Sequence, residues 1–331
     1  MNSDIDIQKA LESVVLYKVD CEKGDGKDIA KEFKVSGYPT FVLLNKDGKV
    51  IDRWMGYAKD YFLKTLPDAT ADLTTIDEKK ARFQNNPDLR SAVVLGRYSS
   101  AMGEYKEAVA CYLKAQSLNT NSEIGYGFEI FENTYDGANK EIFNYQDLVS
   151  AADNALKSSA SPMKTYYVAS MMVPIAQKNE KRADIEKYLE AGLDATANGA
   201  DDETKNAHTD LMVSFSLLIK DDTATAFEYK KGTMPKGWQD DPIQLNQFAW
   251  WCFENSANLK EAEMLSRKSV TQAKPGREKA NNLDTLAEIL HAQGKTGEAL
   301  EFSRQANAED SENKFFRSQV ERFQKILDEK K

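Results

Sequence analysis

The cysteines and histidines are the residues of this sequence that could carry redox, nucleophilic or metal chemistry, and they are few and scattered. Cys21, Cys111 and Cys252 lie far apart, and no two of them form a Cys-x-x-Cys pair or suggest a disulfide framework. The only histidines are His208 and His291. A hydrolytic triad or a zinc site needs more partners than these. We therefore expect no metal site, no cofactor and no catalytic residue within this chain.

The first 67 residues alternate predicted strands and helices. Short β-branched or apolar runs indicate strands, and apolar residues at helical spacing indicate helices. The predicted elements are a strand over 14–20, a helix over 26–35, strands over 40–46 and 49–57, and a helix over 59–66 that ends near Pro67. Asp47 and Gly48 predict a two-residue hairpin between the second and third strands, because glycine tolerates a positive φ. The order is β-α-β-β-α.

This order, carried by the segment "YKVDCEKGDGKDIAKEFKVSGYPTFVLLNKDGKVIDRWMGY", resembles the C-terminal half of the thioredoxin fold. The combination includes Val-Asp at a strand end, an amphipathic helix, Gly-Tyr-Pro-Thr, an apolar strand, Asp-Gly and a late glycine. Each feature alone is weak, but together they are specific. The resemblance covers about a fifth of the chain.

The resemblance implies a substrate-docking turn at Tyr38, Pro39 and Thr40. The bond before Pro39 is expected to be cis, which costs an X-Pro bond only about 0.5–1 kcal/mol. The backbone of Tyr38 would then bind an extended, cysteine-containing peptide through main-chain hydrogen bonds, as an added strand does. The alternative for Pro39 is an ordinary trans turn proline.

The family resemblance implies a Cys-x-x-Cys at a helix N-terminus upstream of this half, where the helix dipole stabilises a thiolate. Cys21 does not replace it, because Asp20 and Glu22 flank it and nearby carboxylates disfavour a thiolate. We interpret Cys21 as a structural or incidental thiol.

The absent half would include a central strand between 14–20 and 40–46, and unpaired strand edges invite pairing with another chain. We therefore expect Met1 to be an internal methionine of a longer gene, or this chain to be a fragment. The alternative is a degenerate domain that has closed its sheet with strand 14–20 moved against 40–46.

Residues 68–331 read as a helical repeat domain that follows a partial thioredoxin-like domain over 1–67. In 89–119, small and apolar residues fall at the positions of a tetratricopeptide repeat: Leu95, Gly96, Gly103, Ala108, Tyr112 and Ala115. The same spacing returns in 281–308, and more loosely in 245–270. Residues 120–235 are predicted to be helical but irregular, and 315–330 a capping helix. The fold class is therefore α+β, a partial thioredoxin-like region followed by a larger all-α domain of helical hairpins.

Composition limits the classes of molecule that this chain is expected to bind. The formal net charge of −9, with acidic and basic residues interspersed, disfavours nucleic acid, and no apolar run approaches a membrane span. The partner is expected to be a protein or peptide, either a cysteine-containing substrate or a ligand of the repeat groove. Residues 1–20 show no basic segment followed by an apolar one, so we expect no signal peptide in the chain as given. Resemblance to exported bacterial thioredoxin-like proteins with helical extensions favours export, and a cytoplasmic location stays open.

Two functions remain open from the sequence. The first is a thioredoxin-family thiol–disulfide oxidoreductase whose Cys-x-x-Cys lies upstream and whose repeats bind protein. The alternative is a non-catalytic interaction scaffold, in which the thioredoxin-like region is a vestigial cap. A Cys-x-x-Cys pair before Met1 distinguishes the two.

Overall fold

The protein consists of a small α/β region followed by helical hairpins, which confirms the predicted fold class. The computed structural model describes residues 4–121, 125–158 and 161–329, and in them a two-stranded sheet and seventeen α-helices form. The chain divides into two compact units, 1–168 and 169–331. The boundary at residue 67, between the predicted thioredoxin-like region and the predicted repeat domain, stays a prediction. None of the helices in the described residues is both long and apolar enough to cross a bilayer.

The first unit contains the sheet and its surrounding helices. Its elements are α1 (Ile5–Leu11), α2 (Gly26–Glu32), β1 (Thr40–Leu44), β2 (Val50–Met55), α3 (Lys59–Thr70), α4 (Ile76–Asn85), α5 (Leu89–Ala101), α6 (Tyr105–Leu118), α7 (Gly127–Ala138), α8 (Tyr145–Ser158) and the start of α9 (Pro162–Lys178). Two helix N-termini show why these segments begin where they do. Thr75 and Glu78 form a reciprocal capping box at α4, and Asp88 accepts the Ser91 N–H at α5.

The hairpin formed by β1 and β2 is antiparallel, with Thr40 opposite Met55 and Leu43 opposite Asp52. The two-residue turn predicted from Asp-Gly is wrong. Asn45 N–H donates to Lys49 O at 2.9 Å, which leaves a three-residue loop, 46–48, with Gly48 at φ +73°. A three-residue loop needs its left-handed residue at the last position, where Gly48 stands.

Residues 14–20, predicted as a strand, pair with no other strand of the described chain. The segment carries no strand hydrogen bonds, and Val15 is 98% exposed. Val14 alone packs against the hydrophobic cluster around the sheet. A β-branched run forms a strand only when a neighbour supplies its ladder, and β1 pairs here with β2 alone.

Helix α3 continues past Pro67, where the sequence predicts its end. Pro67 lies inside the helix, which runs on to Thr70. Proline removes one intrahelical hydrogen bond, but buried Leu66 and Ala69 on either side of it pack into the cluster formed with Ile7, Trp54 and Phe62. That burial of apolar surface outweighs the local cost.

Strand β2 connects the sheet to the helices that follow. Asp52, which is fully buried, accepts hydrogen bonds from the Nε and Nη2 atoms of Arg97 on α5, the first at 3.3 Å. The fully buried Lys79 of α4 donates to Ile51 O at 3.0 Å. Burial disfavours the charge on Arg97, yet the adjacent Asp52 carboxylate raises the pKa of the guanidinium above its usual value. The buried ion pair between Asp52 and Arg97 thus joins the sheet to the first helical repeat, and the Lys79 hydrogen bond joins it to α4.

Helices α5 and α6 form the hairpin that the sequence predicts over 89–119. A Cβ added to Gly96 would meet the ring of Tyr112 at 3.0 Å, so a glycine permits the close approach of the two helices. Ala108 and Ala115 are fully buried on the facing side of α6. Small residues therefore set the spacing of this hairpin, as the repeat pattern requires.

The second unit, 169–331, is all-helical. It contains the remainder of α9, then α10 (Arg182–Thr196), α11 (Asp202–Leu218), α12 (Thr223–Gly232), α13 (Pro242–Glu254), α14 (Leu259–Gln272), α15 (Arg277–Ala292), α16 (Thr296–Glu309) and α17 (Lys314–Asp328), with a short 3₁₀ turn at Trp238–Asp240. The repeats predicted over 245–270 and 281–308 correspond to the α13–α14 and α15–α16 hairpins. Phe323 of α17 packs with Leu286 and Leu290 of α15, as a capping helix does.

We predict that removing the Arg97 side chain destabilises the first unit strongly. Burial raises the pKa of Asp52 and Arg97 opposes that shift, so Arg97→Met leaves a buried carboxyl without its cationic partner, and the free energy of unfolding should fall by about 3–5 kcal/mol. Arg304→Met, which breaks an exposed pair with Glu301, should cost at most about 1 kcal/mol. Urea unfolding followed by circular dichroism measures both. The double variant Asp52→Leu/Arg97→Met should recover most of the loss, and an Arg97→Met protein as stable as wild type would contradict this.

Asp284 of α15 makes the stability of the second unit dependent on pH. Its side chain is 7% exposed, its Oδ1 atom has no hydrogen-bond partner, and burial, together with Glu288 one turn away, raises its pKa to about 7. Arg322 acts in the opposite direction, but it pairs with Glu288. The folded state therefore binds a proton that the unfolded state has released, and the stability from this proton is lost as pH rises toward and through 7.

We predict that Asp284→Asn removes this pH dependence. The unfolding free energy of the wild type should drop between about pH 5 and pH 8 by roughly 1–3 kcal/mol more than that of Asp284→Asn. Glu321→Gln, an exposed carboxylate on α17, is the matched control and should behave as wild type. Parallel pH profiles for wild type and Asp284→Asn would show that Asp284 is ionised in the folded state at neutral pH.

Candidate functional site

The turn before β1 is held in place by Arg53, whose side chain is buried beneath it. Arg53 donates from Nη1 to Phe33 O and from Nη2 to Lys34 O, the second at 2.8 Å. These carbonyls lie at the C-terminal end of α2, where the backbone has no helical partner of its own. Because Arg53 lies opposite Val42 in the sheet register, it fixes the end of α2 relative to the hairpin. The segment that leads to Pro39 therefore starts from a fixed point.

Tyr38, Pro39 and Thr40 lie together at the start of β1, where the sequence places the docking turn. The Tyr38–Pro39 peptide bond is cis. Gly56 N–H donates to Pro39 O at 2.9 Å, and the Thr40 hydroxyl donates to Gly37 O at 2.7 Å. The first bond joins the turn to the end of the hairpin, and the second lies within the turn. Neither bond involves the main chain of Tyr38.

The main chain of Tyr38 is available to a ligand. Within the described residues, its N–H and C=O make no hydrogen bond, and the residue is 64% exposed. Strand β1 pairs with β2 on one edge only, so its other edge presents unpaired backbone groups as well. An exposed edge of this kind can accept an extended peptide or a further strand. The docking role of Tyr38, Pro39 and Thr40 stays a prediction that this geometry allows.

Two of the three thiols, those of Cys111 and Cys252, are poorly suited to nucleophilic attack. Burial raises the pKa of Cys111, and burial, with Glu261 nearby, raises the pKa of Cys252 to about 12. Both thiols are therefore protonated at neutral pH, whereas the attacking species in disulfide exchange is the thiolate. Cys21 is partly buried, and all three cysteines are free. Among the described residues, no group of three or more Cys, His, Asp or Glu side chains is arranged to hold a metal ion.

Sequence reasoning found the turn but missed the residues that hold it. Arg53 reaches carbonyls 19 and 20 positions earlier in the chain, and Asp52 reaches Arg97 across 45 positions. A charged pair in the middle of an apolar strand, "VIDRWM", is the one signal that could have pointed to them. Charged residues are seldom fully buried unless they are paired, so this strand had to have partners.

Comparison with known proteins identifies both parts of the chain. A tetratricopeptide repeat family model matches residues 89–122, which include α5 and α6. The chain is 42% identical over 55 residues to thioredoxin H5 of Arabidopsis thaliana, and 40% identical over 61 residues to an H-type thioredoxin of Fagopyrum esculentum. It is 25% identical over 173 residues to a protein disulfide-isomerase of Datisca glomerata.

Two solved structures match over most of this chain, at low identity and low TM-score. One is the crystal structure of the APC/C hetero-tetramer Cut9–Hcn1, at 10% identity and a TM-score of 0.40, covering 81% of this chain and 49% of that one. Another is a tetratricopeptide repeat protein from Parabacteroides merdae, at 16% identity and a TM-score of 0.38, covering 80% of this chain and 95% of that one.

The matches to curated relatives are partial. The disulfide-isomerase match covers 46% of this chain and 33% of that protein, and the two thioredoxin matches cover 17% and 18% of this chain, and 44% and 50% of those proteins. The chain thus spans at most half the length of each of these relatives. Together with the β-hairpin and the helical hairpins, the thioredoxin and disulfide-isomerase matches and the tetratricopeptide family model show that the chain joins a thioredoxin-like region to tetratricopeptide-like repeats.

Proposed function

We propose that this chain is part of a thioredoxin-family thiol–disulfide oxidoreductase whose Cys-x-x-Cys lies upstream of residue 1. In this proposal, the turn at Tyr38, Pro39 and Thr40 docks a cysteine-containing peptide, and the helical repeats bind a protein partner. The observation that carries the proposal is the unpaired, exposed Tyr38 main chain, which lies just before β1 at an open sheet edge.

The proposed reaction is thiol–disulfide exchange. The thiolate of the upstream pair attacks one sulfur of a substrate disulfide, and the other substrate sulfur leaves as a thiolate. The second cysteine of the pair then attacks the mixed disulfide, which releases the reduced substrate and leaves the pair oxidised. The part of this chain is to hold the peptide extended by main-chain hydrogen bonds, so that its sulfur is positioned for in-line attack.

Two features support an upstream segment. The open edge of β1 leaves backbone groups unpaired, and the 14–20 segment, which forms no strand, exposes Val15 and Tyr17. A further strand would satisfy both. The partial coverage of the thioredoxins agrees with this, since those relatives are about twice as long as the matched region.

We predict that the chain as given does not catalyse insulin reduction. With dithiothreitol as reductant, insulin precipitation should follow the reductant-only rate, because none of the three thiols has a redox partner. Cys21→Ser should give the same trace. Acceleration that disappears in Cys21→Ser would make Cys21 catalytic and would contradict this prediction.

We predict that the protein from its native source has a reactive cysteine pair beyond the three described. Alkylation before and after reduction, followed by peptide mass analysis, should locate two cysteines that change together and lie outside Cys21, Cys111 and Cys252. The same preparation should accelerate insulin reduction. A native protein that begins at Met1 and has no such activity would favour the alternative, a non-catalytic scaffold with a vestigial cap.

A further inference from the structure

A cavity of about 710 Å³ lies in the first unit, between helix α3 of the thioredoxin-like region and the first helical repeats. Its walls come mainly from α3 and α5, with single residues from α6, α7 and α9 and Tyr126 just before α7. A volume in this range is typical of sites that bind small molecules or short peptide segments. Neither the turn at Pro39 nor the sheet edge contributes to its lining, so it is a separate feature of the unit.

The cavity is basic in an acidic chain. Four cationic side chains, Lys64, Arg90, Arg97 and Lys164, line it together with two carboxylates, Asp68 and Glu129. The buried Asp52 behind Arg97 is a third carboxylate, and one positive charge remains in excess when all seven are counted. The whole chain carries a formal charge of −9, so this local excess opposes the general charge of the surface.

The cationic side chains that line the cavity differ in whether a carboxylate already pairs with them. Arg90 and Arg97 both contact Asp68, at 3.3 and 3.2 Å, and Lys164 contacts Glu129 at 3.2 Å. Lys64 is exposed and forms no ion pair with any carboxylate in the described ranges. No described residue accepts a hydrogen bond from Arg97 Nη1 either, since all the bonds of this guanidinium are made by Nε and Nη2. Lys64 and the Nη1 atom of Arg97 are therefore donors of lining residues that an additional carboxylate could pair with.

The remaining walls are apolar and aromatic. Leu89 and Val93 of α5 face the same space as the rings of Tyr61, Tyr112 and Tyr126. The rings of Tyr112 and Tyr126 stack on each other, with centroids 6.3 Å apart. A free inorganic anion would leave this apolar surface unused, whereas a peptide with acidic and apolar side chains in alternation would contact both kinds of wall.

We propose that this cavity binds an acidic segment of a partner protein in which carboxylates alternate with apolar side chains. Lys64 and Arg97 bind the carboxylates, and the wall formed by Leu89, Val93 and the tyrosines binds the apolar residues. This inference rests on the part of the proposed function that assigns protein binding to the repeats. It does not depend on the redox activity, because the ligand needs no cysteine.

Fluorescence polarisation with a cysteine-free peptide tests the proposal on the full chain. The probe is a fluorescein-labelled octapeptide of alternating glutamate and leucine, and the matched peptide carries glutamine in place of glutamate. We expect saturable binding of the glutamate peptide at low salt, weaker binding as salt rises, and about tenfold weaker binding of the glutamine peptide. Equal binding of the two peptides, or no binding of either, would overturn the proposal.

Charge reversal locates the site. Lys64→Glu should weaken binding of the glutamate peptide about tenfold, because it places a carboxylate where the ligand carboxylate would lie. Lys106→Glu is the control, an exposed lysine of α6 outside the cavity, and should bind within about twofold of wild type. Equal losses in the two variants would show a general effect of charge and would overturn the assigned site. Circular dichroism of both variants confirms that the helices are intact.

One further probe and one competitor distinguish an acidic peptide from other anions. A labelled octathymidylate should bind at least about tenfold more weakly than the glutamate peptide, and comparable binding would make the cavity a general polyanion site. Free glutamate at the same concentration as unlabelled peptide should not displace the probe, and equal displacement would assign the cavity to a small carboxylate. Because the peptides lack sulfur, a failure here leaves the insulin result and the proposed redox function untouched.

Discussion

The buried ion pair between Asp52 and Arg97 is the interaction on which the arrangement of the first unit depends. A carboxylate at the centre of a strand is tolerated only when a cation satisfies it, and here the cation comes from the first repeat helix, 45 residues later. Arg97 in turn contacts Asp68 at the end of α3. One guanidinium therefore joins the sheet, the last helix of the thioredoxin-like region and the first helical repeat.

Strand β2 is buried on both faces because its side chains alternate between partners. Asp52 contacts α5 and Trp54 packs against α1 and α3, while Arg53 on the other face caps the end of α2. Strand β1 is different, since its residues are only partly buried and one of its edges is unpaired. The buried strand β2 thus pairs with the less buried strand β1, and the turn at Pro39 leads into β1.

Local patterns in the sequence predicted the elements, and long-range contacts explain what they could not predict. Gly96, Ala108 and Tyr112 identify a helical hairpin because their roles depend on neighbours within one repeat. The 14–20 segment has the composition of a strand, but a strand also requires a partner, which composition does not encode. In the same way, the residues next to Pro67 in the sequence do not reveal the apolar cluster that stabilises α3 beyond this proline.

The candidate site likewise combines features that a local sequence motif indicates with features that only long-range contacts create. The docking turn at Tyr38, Pro39 and Thr40 is placed by the resemblance of Gly-Tyr-Pro-Thr to the thioredoxin family, and its role stays a prediction. Arg53 beneath the turn, and the basic cavity between α3 and the repeats, are assembled from residues tens of positions apart. No periodicity connects Lys64 with Lys164, so this part of the surface becomes visible only in the folded chain.

Native-state hydrogen exchange tests most directly whether the sheet and the first repeat form one cooperative unit through Asp52 and Arg97. The account predicts that the amides joining β1 to β2 and those in the centre of α5 open with the same free energy, and that Arg97→Met lowers both by the same amount. Sheet amides that open at a much lower free energy than α5, and that are unchanged in Arg97→Met, would contradict it.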